Sequence, residues 1–228
     1  MISFEHVTKR YGERLALDDV TWRMDEGECV VILGHSAAGK TTLLRLITHE
    51  TQPTSGVVTV GTFRGGRMTR SHRALLRRTI GVIYEDFRLL PDRTVFENVA
   101  LALHIAGQFT DAEVTPKVRR ALDEAGLDAH RDLLPAELSF GERQRCAIAR
   151  AIVTRPALIL ADEPTGALEP KSAAEVLSLL LRVHREGAAL LLGTTRTEVA
   201  NVIGGRRYLL EDGKMREITP AVAAARGA

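Results

Sequence analysis

Gly34-His35-Ser36-Ala37-Ala38-Gly39-Lys40-Thr41-Thr42 stands directly after the apolar run Cys29-Val30-Val31-Ile32-Leu33. The run has the length and β-branched content of a buried parallel strand, and the segment after it fits G-x-x-x-x-G-K-[ST]. A glycine-rich turn can be merely structural, but strand, loop and helix in this order read as a phosphate-binding loop. Backbone N–H groups at the start of the helix can wrap a phosphate, Lys40 can reach the β and γ oxygens, and the Thr41 hydroxyl can ligate Mg²⁺.

The chain around this loop has 228 residues, 45% of them apolar, which suits one large or two small domains with an ordinary core. Its net charge is +2, from 31 basic and 29 acidic residues, so no global field argues for nucleic acid or another polyanion. Partners have to be argued locally. Cys29 and Cys146 match no metal spacing and sit in an apolar strand and an apolar helix, as reduced packing residues would. The start, Met1-Ile2-Ser3-Phe4-Glu5, has no basic and apolar leader pattern, and no stretch approaches the ~18 apolar residues of a membrane span. The expectation is a cytosolic chain unless a partner holds it at a membrane.

Upstream of the loop, Ile2, Phe4, Val7 and Tyr11, a break at Gly12, then Leu15, Leu17, Val20 and Trp22 alternate like an antiparallel ribbon. Tyr11 can stack on a nucleotide base, or pack on the core as a strand-end aromatic. Downstream, the loop helix ends near His49, Pro53-Thr54-Ser55-Gly56 marks a turn, and Val57-Val58-Thr59-Val60 makes a short strand. Then come Arg64, Arg67, Arg70, Arg73, Arg77 and Arg78, with Leu75 and Leu76 among them and no carboxylate. Such a run can touch lipid headgroups or nucleic acid phosphate, or be a solvated helix face.

Ile80 to Tyr84 reads as another buried strand, leading into Glu85-Asp86-Phe87-Arg88-Leu89-Leu90-Pro91. A helical region follows. Thr94 and Glu97 make a capping box, and a second helix is predicted to begin at Thr115-Pro116. This stretch reads as a helical subdomain inserted into an α/β core. Ser139-Phe140-Gly141-Glu142 is another S-x-x-E start, and the free N–H groups of its helix can hold a second phosphate. Ala157 to Ala161 is a buried strand that delivers Asp162 and Glu163 at its end. Asp162 can hold the Mg²⁺ shell, while Glu163 can orient or deprotonate a water attacking the γ-phosphate. A further strand runs into Gly193-Thr194-Thr195-Arg196, Arg207 to Met215 close as a hairpin, and Ala221 to Ala228 is expected to fray.

Taken in order, the phosphate loop, Glu85 to Leu90, Leu138-Ser139-Phe140-Gly141-Glu142, Leu158 to Glu163 and Pro164-Thr165-Gly166 resemble an ABC-type ATPase along nearly the whole chain. Within that superfamily the chain looks like the FtsE family of bacterial cell division, on Gly34-His35-Ser36, on Asp86 to Leu101 and on Leu209 to Lys214. The resemblance implies an α/β P-loop NTPase: a single cassette over 1–228 with a RecA-like core (about 1–88 and 156–220), an antiparallel β subdomain and a helical subdomain (about 89–155). It also implies ATP and Mg²⁺, with Thr41, Asp162 and Glu85 around the metal and Glu163, Lys40 and Thr195 in catalysis. A head-to-tail homodimer is implied, holding ATP between the loop of one copy and Ser139 to Glu142 of the other. So is a peripheral place on the cytoplasmic side of the inner membrane, beneath an FtsX-like integral membrane protein. No nucleic acid partner is expected.

Five positions depart from the family pattern. Ala37 stands in place of a glycine and is tolerated at negative φ but crowded at positive φ. Glu85 replaces a glutamine and adds negative charge beside Asp162 and Glu163. Phe140 replaces a signature glycine and puts a ring where the partner copy's γ-phosphate approaches. Glu169 replaces an aspartate, and Thr195 replaces the switch histidine, keeping one donor but no charge. The resulting expectation is a slow or partner-dependent ATPase. The alternatives are a nucleotide-sensing module with little hydrolysis, and the ATPase subunit of a lipoprotein or macrolide exporter.

Overall fold

The computed structural model describes residues 1–65, 68–107 and 109–219, with the backbone alone at Asp111. Arg67 of the arginine run and the tail 221–228 lie outside the described residues. The chain opens with β1 (Ile2–Tyr11), β2 (Arg14–Met24), β3 (Cys29–Leu33) and α1 (Lys40–Ile47). Then come β4 (Ser55–Val60), β5 (Phe63–Arg64), α2 (Arg70–Arg78), β6 (Ile80–Ile83), α3 (Val95–Ala106), α4 (Asp111–Glu124) and α5 (Phe140–Ile152). It closes with β7 (Leu158–Asp162), α6 (Pro170–Arg185), β8 (Ala189–Thr194), α7 (Thr197–Ile203), β9 (Arg206–Glu211) and β10 (Lys214–Ile218).

Two sheets result. The smaller has the order β2-β1-β4-β5 and is antiparallel; the larger has the order β10-β9-β3-β8-β7-β6 and is parallel except at β10. The period of two explains why the central strands are apolar throughout. In β3, Val30 and Ile32 join the core shared with α1 and the smaller sheet, while Cys29, Val31 and Leu33 join the core under the helices. In β7, Leu158 and Leu160 divide in the same way from Ile159 and Ala161. Trp22 fastens one sheet to the other, edge-on to Phe4 at 5.7 Å and to Tyr208 of β9 at 6.0 Å. Cys29 and Cys146 are free and buried, and burial pushes their thiols up to about 11 and about 12.

Register fixes the site. Leu33 lies opposite Thr194, and Asp162 opposite Gly193, so the loop after β3, the carboxylates after β7 and the end of β8 share one edge of the sheet.

The helical segment starts as its caps dictate at Thr94 and Ser139, each with its Glu three residues on. One expectation fails. The second helix begins at Asp111, not at Thr115-Pro116, because the Glu113 carboxylate accepts from both the N–H and the hydroxyl of Thr110 and fixes the start there. Pro116 therefore lies inside α4, where its missing N–H gives up one rung.

Candidate functional site

The phosphate loop is set by close backbone approach. A Cβ on Gly34 would meet the Leu210 carbonyl oxygen at 2.6 Å, and one on Gly39, at φ +113°, would meet that of Ala16 at 2.4 Å. Ala37 takes φ +67°, the left-handed region in which its methyl is strained. The guanidinium of Arg14 donates to the Ala37 carbonyl at 2.9 Å and holds that turn. His35 and Ser36 form the exposed crest, Ala38 is buried beneath it, and Lys40, Thr41 and Thr42 open α1.

Lys40 is 6% exposed, and its Nζ donates to the carbonyls of Gly34 at 2.8 Å and His35 at 3.1 Å. The same Nζ lies 3.1 Å from Glu163 Oε1, an ion pair without hydrogen-bond geometry. Glu163 holds φ +45°, with its N–H on the Gly193 carbonyl at 2.9 Å.

The Thr41 hydroxyl donates to Asp162 Oδ2 at 2.6 Å, while Oδ1 is buried and unpartnered. Burial pushes the Asp162 carboxyl above its ordinary range; the Thr41 hydrogen bond opposes this, and Glu163 and Glu85 add to the rise. Among the described residues no cluster of three His, Cys, Asp or Glu side chains forms a metal cage. A hydroxyl and a carboxylate with a spare buried oxygen nevertheless fit Mg²⁺, which is held by one or two protein oxygens together with substrate phosphate. Glu85, exposed at the end of β6, lines with Thr41 and Asp162 a cavity of about 370 Å³ that reaches Glu50, Tyr84 and Arg88.

On the other side of α1, a cleft of about 400 Å³ is lined by Tyr11, Arg14, Lys40, Thr41, Thr42 and Arg45. Tyr11 is 43% exposed at its rim, with Lys9 Nζ 4.8 Å above the ring. A base can lie on the free part of the ring and a phosphate chain can follow the cleft to Lys40.

Thr195 follows β8 and is exposed, while Thr194 is buried and its hydroxyl accepts from the Arg196 N–H at 3.1 Å. Ser139 caps α5, and Glu142 Oε2 accepts from the Ser139 N–H at 2.8 Å and its hydroxyl at 2.6 Å. These bonds hold the Glu142 carboxyl below its usual range. Phe140 is 42% exposed and lies edge-on to Phe87, centroids 4.6 Å apart. A Cβ on Gly141 would meet Ser172 Oγ at 2.9 Å. Ser139 to Glu142 line neither cavity beside the loop, so within one chain they do not join Lys40, Asp162 and Glu163. Glu169 caps α6 through its carbonyl, which accepts from the Ala173 N–H at 2.9 Å.

Two residues that touch the site carry no signal of it in the sequence. Arg14 carries no motif; its bond to Ala37 and its place in the cleft with Tyr11 and Lys40 mark it. Gly193 reads in the sequence only as part of a strand end, yet a Cβ there would touch the Lys40 Cβ at 3.4 Å and Asp162 Oδ1 at 3.6 Å.

The profile of the ABC transporter family matches residues 17–166. The cell division ATP-binding protein FtsE of Mycobacterium tuberculosis is 42% identical over 219 residues, covering 94% of this chain and 94% of that protein. The methionine import ATP-binding protein MetN of Xanthomonas campestris pv. campestris is 40% identical over 225 residues, covering 96% of this chain and 67% of its own length. Among solved structures, the dimeric bacterial ABC transporter cassette MJ0796 superposes with a TM-score of 0.89 at 35% identity, covering 96% of this chain and 99% of its own. The same cassette superposes equally well, at 0.89, as a dimer in a post-hydrolysis state bound to ADP and Pi.

Proposed function

The chain belongs to the ABC transporter family as one of its ATP-binding subunits, and from that premise we propose that it is a slow Mg²⁺-dependent ATPase. Its partner is an FtsX-like membrane protein of bacterial cell division. The observation that carries the reading is Glu163, retained at the end of β7 with Oε1 3.1 Å from Lys40 Nζ. A module that only sensed nucleotide would not need that carboxylate.

The chemistry follows from the groups at the sheet edge. The N–H groups of residues 38–42 bind the phosphate chain, and Lys40 moves from its two carbonyls to the β and γ oxygens. Thr41 Oγ1 and Asp162 would hold Mg²⁺, which when bound would supply charge neutralisation to the substrate phosphates. Glu163, released from Lys40, accepts one proton of the attacking water at its carboxylate as the water oxygen bonds to the γ-phosphorus and the bridging oxygen leaves with ADP. Thr195 contributes a neutral hydroxyl where the family has a histidine, and loss of one transition-state donor costs about 10²–10³ in turnover.

Two further features support the partner reading. Both MJ0796 structures are dimers, and Ser139 to Glu142 line neither cavity beside the loop of their own chain, as a segment that serves a second copy would. A groove of about 370 Å³, lined by Arg77, Tyr84, Leu101, Ile105 and Arg150, suits a helical element of a membrane protein. FtsE and MetN match at 42% and 40% identity; the loop His35 and the run Asp86 to Leu101 favour the cell-division system over import. A second reading, nucleotide sensing with little hydrolysis, is favoured by Ala37 at φ +67° and by the Phe140 ring.

The deciding experiment is steady-state Mg²⁺-ATP turnover of the chain reconstituted with its membrane partner, beside Lys40→Ala, Glu163→Gln and Thr195→His. Turnover above Lys40→Ala, lost in Glu163→Gln and raised in Thr195→His, supports the slow ATPase. Turnover equal to Lys40→Ala with ATP still bound supports the sensor.

A further inference from the structure

From Thr51 to Tyr84 the chain contains no carboxylate, and α2 sits in the middle of that stretch. Among the described residues the helix is pinned on one side only. Leu76 is buried in the core, and the Arg77 guanidinium donates to the carbonyls of Thr48 at 3.0 Å and His49 at 3.2 Å. Arg73 leans the same way, half-buried beside His49, whose imidazole is held below its usual range by burial and by Arg73 and Arg77.

The opposite face carries Arg70, Ser71, Ala74, Leu75 and Arg78, which fall together at helical spacing. All are exposed, Leu75 to 48%, and among the described residues Arg70 and Arg78 have neither an ion-pair nor a side-chain hydrogen-bond partner. An ordinary solvated face mixes signs, so that i,i+4 pairs relieve repulsion. Here the like charges are left uncompensated by the fold.

We propose that this face of α2 rests on an anionic lipid surface, with Arg70 and Arg78 on headgroup phosphates and Leu75 in the interface. Three observations select lipid among polyanions. The cations on the exposed face are arginines, whose planar fork takes phosphate oxygens in pairs. An exposed leucine lies between them, which a membrane interface rewards and a duplex backbone does not. Arg77 and Arg78 also rim the groove offered above to a membrane protein, so groove and helix face are continuous. Only that placement rests on the proposed function; the surface itself needs neither nucleotide nor partner.

Co-flotation of the purified full chain with vesicles tests this. Phosphatidylcholine vesicles are compared with phosphatidylcholine–phosphatidylglycerol vesicles at low and high salt, with a short DNA duplex as competitor. The variants are Arg70→Ala/Arg78→Ala and Leu75→Ser; Arg77 is left alone because it anchors the helix. The expected result is binding to the anionic vesicles only, weakened by salt. The double arginine variant should bind roughly 30-fold more weakly at an unchanged unfolding midpoint, and Leu75→Ser should weaken binding less. Equal binding to neutral vesicles, binding to neither, an unaffected double variant, or preference for the duplex would each overturn the proposal. None of these results changes Mg²⁺-ATP turnover by the soluble chain, so the two readings fail separately.

Discussion

Lys40 and Glu163 are ion-paired beside the phosphate loop, Nζ to Oε1 3.1 Å, with both side chains almost out of solvent. The lysine proposed to meet phosphate and the carboxylate proposed to meet water are occupied with each other. Nucleotide binding therefore has to break the pair, and part of the phosphate's attraction for Lys40 is spent on that separation. Glu163→Gln removes the competing charge and leaves the Gly34 and His35 carbonyls in place. The variant is expected to bind ADP about tenfold more tightly than wild type, equivalent to about 1.4 kcal/mol. Calorimetric titration with ADP checks this without any contribution from hydrolysis, and equal affinities would remove the pair from the binding pathway.

Ala37 is the second point of tension in the loop. At φ +67° an L side chain is strained where glycine is not, and Arg14 holds the carbonyl in that orientation. Ala37→Gly should relieve about 1 kcal/mol, less what glycine loses in unfolded-state entropy. The net expectation is an unfolding midpoint raised by up to about 2–4 °C, read by differential scanning calorimetry. Arg14→Ala should lower the midpoint and weaken nucleotide binding, and Arg14→Lys should restore the first better than the second.

The α5 cap supplies a pH test. Hydrogen bonds from Ser139 depress the folded pKa of Glu142 below its unfolded value. For a depressed carboxylate, the stabilisation is present above the unfolded pKa and is lost as pH falls through the folded one. Ser139→Ala should cost about 1 kcal/mol at neutral pH, about 2–4 °C in midpoint. The gap from wild type should narrow in acid as Glu142 takes up its proton. A gap that stayed constant between neutral and acidic pH would show that Ser139 acts on the helix without the Glu142 carboxylate.

How much of this was legible in the sequence depended on the range of the interaction. The loop, the buried strands and the caps at Thr94 and Ser139 were readable because each is decided by neighbours within a turn or a pleat. The start of α4 is not legible because Pro116 looks like a first-turn proline, while Thr110, six residues earlier, closes the cap with Glu113. The Lys40–Glu163 pair, the Arg14 bond to Ala37 and the fit of Gly193 against Lys40 and Asp162 join residues far apart in the chain. Composition and spacing carry no trace of them. Ala37 shows the boundary between the two cases: its identity posed the question of φ, and only the fold answered it.

Phe140 and Phe87 carry the last prediction. Their rings meet edge-on at 4.6 Å, and Arg150 of the same helix donates to the carbonyls of Phe87 and Arg88, both residues at positive φ. Helix α5 thus grips the segment that follows Glu85 at two points. If a second copy docks its phosphate loop on the Ser139 cap, as proposed, the Phe140 ring that ties α5 to its own chain would also obstruct that copy. Phe140→Gly should lose about 0.5–1.5 kcal/mol of aromatic pairing, together with the helix propensity of its position. In a Glu163→Gln background it should nevertheless raise the fraction of ATP-dependent dimer measured by light scattering. Phe87→Ala removes the same ring pair and leaves the obstruction, so it should reproduce the aromatic part of the stability loss without the gain in dimer. If both variants dimerise alike, the ring acts through its tie to Phe87, and the steric account of Phe140 fails.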